Sequence, residues 1–315
     1  MITPRGFGTA LATPFHADGR LDLEALARLT RHVVDGGADF VVALGSTGEA
    51  AMLGDAERDQ VVTTVRENCH KAALLVGTGA QATAMTVRWS IRARQLGAHG
   101  VLVVVPPYVK PSQAGLVAHF EAIAAAVPEL SVVLYNVPGR AATNLLPATV
   151  AQLWRLPNVV ALKESSGDLG QIARIAAELP PGKVLLAGDD GLALPSIAVG
   201  AQGLVSVAGN VAPRAVKALV TAAVQGNLPA ARRLHARLLP LFDALFVESN
   251  PIPVKAALDL LGLAGPHLRL PLLPAVAATR DRLAAALRQA EALPAEALPA
   301  EAQPGDVLPG EVMHG

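Results

Sequence analysis

The chain has 315 residues, 52% of them hydrophobic and 17% charged, and its 26 basic side chains balance its 26 acidic ones. This composition suits one large core and gives no electrostatic reason to expect binding to nucleic acid or to an anionic membrane. The single cysteine, Cys69, excludes an intrachain disulfide, and no stretch has the length of a membrane span or the pattern of a signal peptide, so we expect a cytoplasmic protein.

Short apolar strands alternate with longer amphipathic helices from Gly6 onwards. Eight strands are predicted, over residues 8–14, 39–44, 73–77, 100–105, 131–135, 158–163, 183–187 and 203–207. The segments between them carry apolar residues at helical spacing, several with an acidic first turn. Eight strands each followed by a helix predict an α/β fold of the (β/α)8 TIM barrel type, although periodicity alone also allows a doubly wound open sheet.

The pattern changes after residue 225, which closes the predicted catalytic barrel of residues 1–225. Helical patterns continue over 229–246, 252–261 and 274–293 without further strands, which predicts a small helical C-terminal domain over 226–293. Residues 294–315 repeat Pro-Ala-Glu-Ala imperfectly and carry too little apolar surface to fold alone. We expect them to form a disordered tail.

The sixth strand ends on a lysine after an unbroken apolar run, 159–162. Such a run is typical of a strand covered on both faces, so Lys163 is expected at the end of a buried strand. A desolvated lysine can lose its proton and attack carbonyl groups. The alternative is a lysine that reaches the solvent rim.

Polar residues collect at the carboxyl ends of the predicted strands, where TIM barrels carry their sites. The turn Gly-Ser-Thr-Gly-Glu at 45–49 could bind a carboxylate, or it could be an ordinary turn before a helix. Tyr135 could transfer protons, or be a core tyrosine, and Arg140 could clamp a carboxylate, or be a solvated loop residue. The chain's only two tyrosines, Tyr108 and Tyr135, both lie at these ends.

Two further patterns argue against a cofactor or a metal. Residues 77–82, Gly-Thr-Gly-Ala-Gln-Ala, resemble a dinucleotide fingerprint, but the next strand ends in Pro106 and Pro107 rather than in an acidic residue that could hold a ribose. The eight histidines show no ligand spacing. We predict neither a cofactor nor a metal.

Five motifs in order resemble the dihydrodipicolinate synthase and N-acetylneuraminate lyase family over about Gly6 to Leu273. They are Gly-Ser-Thr-Gly-Glu at 45–49, Tyr-Asn-Val-Pro-Gly-Arg at 135–140, Val-Ala-Leu-Lys-Glu at 160–164, Gly-Asp-Asp at 188–190 and Glu-Ser-Asn-Pro-Ile-Pro-Val-Lys at 248–255. The resemblance implies a pyruvate-handling, Schiff-base lyase on a (β/α)8 barrel. It also implies a homotetramer built as a dimer of dimers.

The resemblance assigns roles to individual residues. Lys163 would form the imine with pyruvate, and Thr47 and its turn would hold the pyruvate carboxylate. Tyr135 would pass protons through Ser46 to Tyr108, which the neighbouring subunit would supply.

Substrate binding is implied for three more positions. Gly188 would contact substrate and Val205 would line the pyruvate pocket mainly through its backbone carbonyl. Arg140 points within the family to condensation of pyruvate with aspartate semialdehyde, because it would bind the aldehyde's carboxylate. The alternatives are a paralogue acting on a sialic acid or a sugar-derived keto acid, and a barrel that binds a small acid without turnover.

The chain departs from the family pattern at several positions. Ser46 stands where the lysine-biosynthetic members usually have threonine, and Pro107 and Val109 replace the tyrosine and asparagine that commonly flank Tyr108. In regulated members of the family, residues that bind the inhibitor lysine align with Met85, Arg58 and Pro107 of this chain. None of these three supplies a group that would pair with the lysine ammonium. We therefore predict that lysine does not inhibit the protein.

Overall fold

The computed structural model describes residues 1–291, so the predicted tail lies outside the described residues. Eight parallel strands close into a barrel in which β1 pairs with β8 and every other strand pairs with its neighbours in sequence. The strands are β1 Gly6–Ala10, β2 Phe40–Ala43, β3 Ala73–Gly77, β4 Gly100–Val104, β5 Ser131–Asn136, β6 Val159–Glu164, β7 Val184–Ala187 and β8 Gly203–Ser206.

The helices lie between and after these strands. They are α1 Leu23–Asp35, α2 Asp55–Asn68, α3 Thr83–Gln95, α4 Gln113–Ala126, α5 Pro138–Ala141, α6 Pro147–Leu153, α7 Leu169–Ala177, α8 Ala193–Ala198, α9 Pro213–Val224, α10 Leu228–Ala244, α11 Ile252–Leu260 and α12 Ala277–Glu291. Short 3-10 turns follow β2 at Ser46–Gly48 and Ala50–Met52, and β8 at Ala208–Asn210. The predicted (β/α)8 barrel is confirmed.

Alternation along the strands produces two apolar layers, because successive side chains point to opposite faces. Phe40 and Val42 of β2 point into the barrel, whereas Val41 and Ala43 pack outward against the helices. Apolar residues from all eight strands fill the barrel interior. The carboxyl ends of the strands are therefore supported by a packed core.

Three helices follow the barrel where the sequence predicts a separate C-terminal domain. Helix α10 packs on α9 and α12, and α12 also contacts α11. The division into two domains at residue 225 stays a prediction. No helix within residues 1–291 is both long and apolar enough to cross a bilayer.

Candidate active site

A cavity of ≈ 130 Å³ opens at the carboxyl ends of the strands. It brings together six of the eight predicted site residues, Ser46, Thr47, Tyr135, Arg140, Lys163 and Gly188. The cavity continues into a cleft of ≈ 360 Å³, and the two share a wall that includes Ser46, Tyr135, Arg140 and Asn250. A small acid fits the inner cavity, while a second reactant can approach through the cleft.

Lys163 and Tyr135 face each other across neighbouring strands. The parallel register of β5 and β6 pairs Tyr135 with Lys163, and their side chains are only 7% and 5% exposed. The Lys163 Nζ lies 4.2 Å from the centre of the Tyr135 ring. No carboxylate among residues 1–291 forms an ion pair with Lys163. Its amine is therefore available to a carbonyl compound that enters the cavity.

Gly188, directly after β7, leaves room for the Lys163 side chain. A Cβ atom at this position would lie 2.8 Å from Lys163 Cε and 3.0 Å from Lys163 Cγ, and it would collide with the Ser165 hydroxyl. Any larger residue at 188 would thus displace the lysine.

The turn after β2 carries Ser46 and Thr47 to the cavity wall. Thr13 Oγ1 donates a hydrogen bond to the Gly48 carbonyl at 2.8 Å, which holds the turn to the segment after β1. Glu49 adopts a left-handed backbone with φ of 51°, and this bend ends the first 3-10 turn. Thr47 is buried, whereas Ser46 is exposed towards the cleft.

A buried ion pair anchors this turn to the C-terminal helices. The carboxylate of Glu49 pairs with the ammonium group of Lys255 on α11, and both side chains are at most 1% exposed. Lys255 also donates to the His267 carbonyl at 2.8 Å, and the Arg269 backbone N–H donates to Glu49 at 3.1 Å. Burial lowers the pKa of Lys255 to about 8, although the Glu49 carboxylate opposes that shift. The ion pair and these hydrogen bonds therefore hold the turn against α11 and the segment that follows it.

A second buried network lies behind Lys163 and Tyr135, on the outer face of the same strands. Asn136 is paired in register with Glu164, and its Nδ2 donates to the two carboxylate oxygens at 3.0 and 3.2 Å. The backbone N–H of Ser166 and the amide of Gln171 also donate to Glu164. Burial raises the pKa of Glu164, and these donors oppose the rise. The network ties the ends of β5 and β6 together.

Arg140 lies on α5 at the mouth of the cavity. Its Nη2 donates to the main-chain carbonyl of Asn250 at 3.0 Å, and the residue as a whole is exposed. It lies on the same cavity wall as Lys163 and the acidic residue Asp189. The guanidinium at this mouth can pair with a carboxylate group of a ligand.

Two predicted site residues do not reach the cavity within one chain. Tyr108 follows β4 with φ of 75°, and 87% of its surface is exposed. Val205 is buried deeper in the barrel, and Val207, two residues later, lines the cavity instead. The proposed role of the Val205 carbonyl stays a prediction.

Sequence reasoning missed three polar residues of the cavity wall. Ser165, Asp189 and Asn250 all line it, and each lies inside or beside a recognised motif without an assigned role. Residues 1–291 contain no group of three or more histidine, cysteine, aspartate or glutamate side chains that could hold a metal ion.

Comparison with known proteins identifies relatives over nearly the whole chain. The sequence profile of the Dihydrodipicolinate synthetase family matches residues 3–290. The 4-hydroxy-tetrahydrodipicolinate synthase of Thermosynechococcus vestitus is 46% identical over 280 residues, which cover 89% of this chain and 95% of that protein.

Solved structures agree with this match. The crystal structure of dihydrodipicolinate synthase from Thermotoga maritima superposes with a TM-score of 0.90 at 40% identity, covering 93% of this chain and 100% of that one. The chloride-inhibited dihydrodipicolinate synthase from Acinetobacter baumannii, complexed with pyruvate, gives a TM-score of 0.89 at 36% identity, covering 92% and 99%.

Proposed function

This chain belongs to the dihydrodipicolinate synthetase family, and we propose that it is a lyase that condenses pyruvate with L-aspartate 4-semialdehyde to 4-hydroxy-tetrahydrodipicolinate, in lysine and diaminopimelate biosynthesis. The observation that carries the proposal is the buried Lys163 amine against Tyr135, in a cavity whose wall bears Thr47 and Arg140. The pyruvate complex of the Acinetobacter relative supports pyruvate as the first substrate.

Lys163 supplies the nucleophile. Its amine adds to C2 of pyruvate, and loss of water gives an imine that acts as an electron sink. Removal of a proton from C3 then gives an enamine, which attacks the aldehyde carbon of the second substrate. The amino group of that substrate finally adds to the imine carbon and expels Lys163, so that one water molecule is released overall.

The remaining residues of the cavity bind and transfer protons. Tyr135 lies beside the Lys163 amine, where its hydroxyl can protonate the leaving hydroxyl group of the first adduct. Thr47 would hold the pyruvate carboxylate and Arg140 the carboxylate of the aldehyde, the latter through a charge-assisted pair. Ser46, on the same wall, would carry the proton towards Tyr108.

We propose that the working form is a homotetramer, because one chain alone leaves the relay incomplete. Tyr108 and its neighbour Val109 are 87% and 53% exposed, which is unusual for large apolar side chains next to a site. A second copy that covers this loop would bury both and could bring its own Tyr108 to the cavity. A cytoplasmic location is likewise a prediction.

A coupled assay tests the reaction. Condensation is followed through dihydrodipicolinate reductase as loss of NADPH, with Lys163→Ala as the variant and Lys183→Ala as a matched lysine control. Lys183 lies at the opposite end of β7 and donates to backbone carbonyls. We expect turnover in the wild type and the control, and none with Lys163→Ala. Imine formation with pyruvate but no condensation would instead favour a paralogue that acts on another 2-oxo acid.

A further inference from the structure

Asn250 contacts both halves of the site and has no role in the reaction as described above. It lies in the loop between α10 and α11, is 6% exposed, and lines both the cavity and the cleft. Its side-chain Nδ2 donates a hydrogen bond to Thr47 Oγ1 at 3.0 Å. Its main-chain carbonyl accepts a hydrogen bond from Arg140 Nη2 at 3.0 Å.

The direction of the first hydrogen bond determines what Thr47 can do. A hydroxyl group has one proton to donate and two lone pairs that accept. The amide Nδ2 can only donate, so Thr47 Oγ1 is the acceptor and keeps its own proton. Within residues 1–291 the Thr47 hydroxyl donates no hydrogen bond to the protein, so its proton can be donated to an anion in the cavity.

The main-chain contact acts on the other half of the site. Arg140 has five N–H donors, and one of its terminal nitrogens is fixed by the Asn250 carbonyl. The other N–H donors make no hydrogen bond to the protein within residues 1–291, and Arg140 is an exposed residue that lines both the cavity and the cleft. Asn250 thus orients the Thr47 hydroxyl towards the inner cavity and the Arg140 guanidinium towards the cleft.

The surrounding contacts hold Asn250 and the turn in one rigid unit. Lys255, five residues further along, pairs with Glu49 from the same turn, and Arg269 Nη1 donates to the Met52 carbonyl at 2.8 Å. Because both sides of the Asn250–Thr47 bond are anchored, rotation of the Asn250 side chain is restricted.

We propose that Asn250 is a positioning residue that fixes the Thr47 hydroxyl as a donor to the pyruvate carboxylate and holds Arg140 for the carboxylate of the second substrate. This inference rests on the proposed function. It makes the side chain of Asn250 a determinant of pyruvate binding, while the main-chain carbonyl serves the aldehyde subsite and is unaffected by side-chain substitution.

Substitutions at 250 separate the two contacts. In Asn250→Ala the Thr47 hydroxyl loses its orienting donor, and we expect KM for pyruvate to rise about tenfold, the loss typical of one hydrogen bond to a charged group. Asn250→Asp should be worse than Asn250→Ala, because the new carboxylate accepts the Thr47 proton and repels the pyruvate carboxylate. KM for aspartate semialdehyde should change less than threefold in both variants.

The double variants Thr47→Val/Asn250→Ala and Thr47→Val/Asn250→Asp complete the test. Once the Thr47 hydroxyl is gone, Asn250→Ala should add almost nothing to the effect of Thr47→Val on KM for pyruvate. If the two residues acted independently, the fold-changes of the single variants would multiply in the double variant. Asn227→Asp, which adds the same charge at the exposed N-terminal cap of α10, should leave both KM values unchanged. Far-ultraviolet circular dichroism and thermal unfolding check that each variant is folded.

Borohydride trapping with pyruvate separates failure of this inference from failure of the proposed function. If wild-type Lys163 is not labelled, the proposed function fails. If it is labelled but Asn250→Ala and Asn250→Asp have wild-type KM for pyruvate, or if both substrates lose affinity equally, the inference is wrong. If either variant does not fold, Asn250→Ser is measured in its place. Serine keeps a hydrogen-bond donor, so its KM for pyruvate should lie between those of the wild type and Asn250→Ala.

Discussion

At the scale of single residues, the space left by Gly188 matters as much to the site as Lys163, whose side chain lies against it. We predict that Gly188→Ala slows imine formation about 100-fold, the loss expected when a reacting group is displaced by about 1 Å. The added Cβ would lie 2.8 Å from Lys163 Cε, so the lysine must move. The measurement is the rate of borohydride-trapped incorporation of labelled pyruvate.

Gly191→Ala is the matched control for this change. A Cβ at 191 would meet only Asp189 Oδ1, at 3.5 Å, which is an ordinary contact. Its rate should stay within twofold of the wild type. A wild-type rate in Gly188→Ala would show that Lys163 does not depend on the space above this glycine.

Arg58 supplies a physical reason to expect that lysine does not inhibit this protein. It is 5% exposed, donates to the carbonyls of Ala50 and Gly77 at 3.1 and 2.8 Å, and stacks on Trp89 with 3.8 Å between guanidinium and ring centre. Burial lowers its pKa to about 10, so it remains cationic at neutral pH and repels an ammonium group.

We therefore predict no inhibition by submillimolar lysine in a steady-state assay at neutral pH. A lysine-sensitive synthase assayed alongside provides the positive control. Clear inhibition of this protein under the same conditions would mean that lysine binds without the groups lost at Arg58, Met85 and Pro107.

At the scale of elements, the Glu49–Lys255 ion pair joins the turn after β2 to α11. We predict that Lys255→Met lowers the free energy of unfolding by about 3–5 kcal/mol, because the Glu49 carboxylate would stay buried without its cation. The double variant Glu49→Gln/Lys255→Met should recover most of that loss. Urea unfolding of the three proteins measures both effects, and equal stability of the wild type and Lys255→Met would contradict the account.

Glu164 links the ends of β5 and β6 and should make stability depend on pH. Burial raises the pKa of Glu164 above its ordinary value of 4.5, so the native state retains the proton where the unfolded state has lost it. Its contribution to stability is therefore fully present below pH 4.5 and declines as pH rises through the native pKa. Relative to Glu164→Gln, the wild type should lose stability on going from pH 4.5 to pH 7.

Urea unfolding of the wild type and Glu164→Gln across that range measures the difference. Glutamine keeps the size of the side chain and one acceptor for the Ser166 N–H, which isolates the effect of charge. A difference that is constant with pH, or that grows in favour of the wild type, would show that Glu164 ionises freely in the native protein.

At the scale of the whole molecule, the barrel could be predicted because its signal is repeated eight times. Each strand is a short apolar run and each is followed by a helical pattern, so errors at single boundaries do not change the fold. The first strand shows such an error, since it was predicted over 8–14 and runs from Gly6 to Ala10. Leu11, Ala12 and Phe15 are buried after the strand ends, and hydrophobicity alone does not separate a buried loop from a strand.

The site was predictable only in part, for a related reason. The ends of parallel strands meet in space, so polar residues at those ends could be brought together from sequence. Asn250 and Thr47 are 203 residues apart, and neither periodicity nor local spacing indicates that they touch. From sequence alone, a lysine in an amphipathic helix is expected at the surface. Lys255 is nevertheless only 1% exposed, because it pairs with the carboxylate of Glu49 in a turn that is distant in sequence.

The proposed contribution of Tyr108 by a neighbouring subunit leads to a prediction at the same scale. Lys163→Ala would lack the proposed nucleophile and Tyr108→Phe the proposed relay hydroxyl, so each variant alone should be nearly inactive. After unfolding and refolding together, a mixed assembly contains sites that combine Lys163 of one chain with Tyr108 of the other. We expect activity to reappear in the mixture, measured by the coupled assay.

The control is a mixture of Lys163→Ala with a second variant at the same position, Lys163→Met, which offers no complete site in any combination. It should stay inactive. Failure of Lys163→Ala and Tyr108→Phe to complement, while analytical ultracentrifugation shows mixed tetramers, would place each Tyr108 in the site of its own chain.

The most direct test of the central claim is the identification of the residue that carries pyruvate. The protein is incubated with pyruvate, reduced with borohydride, digested and analysed by tandem mass spectrometry. We predict a single carboxyethyl group on Lys163 and none on the protein reduced without pyruvate. Labelling of a different lysine, or no labelling while condensation proceeds, would contradict a Schiff-base mechanism at Lys163.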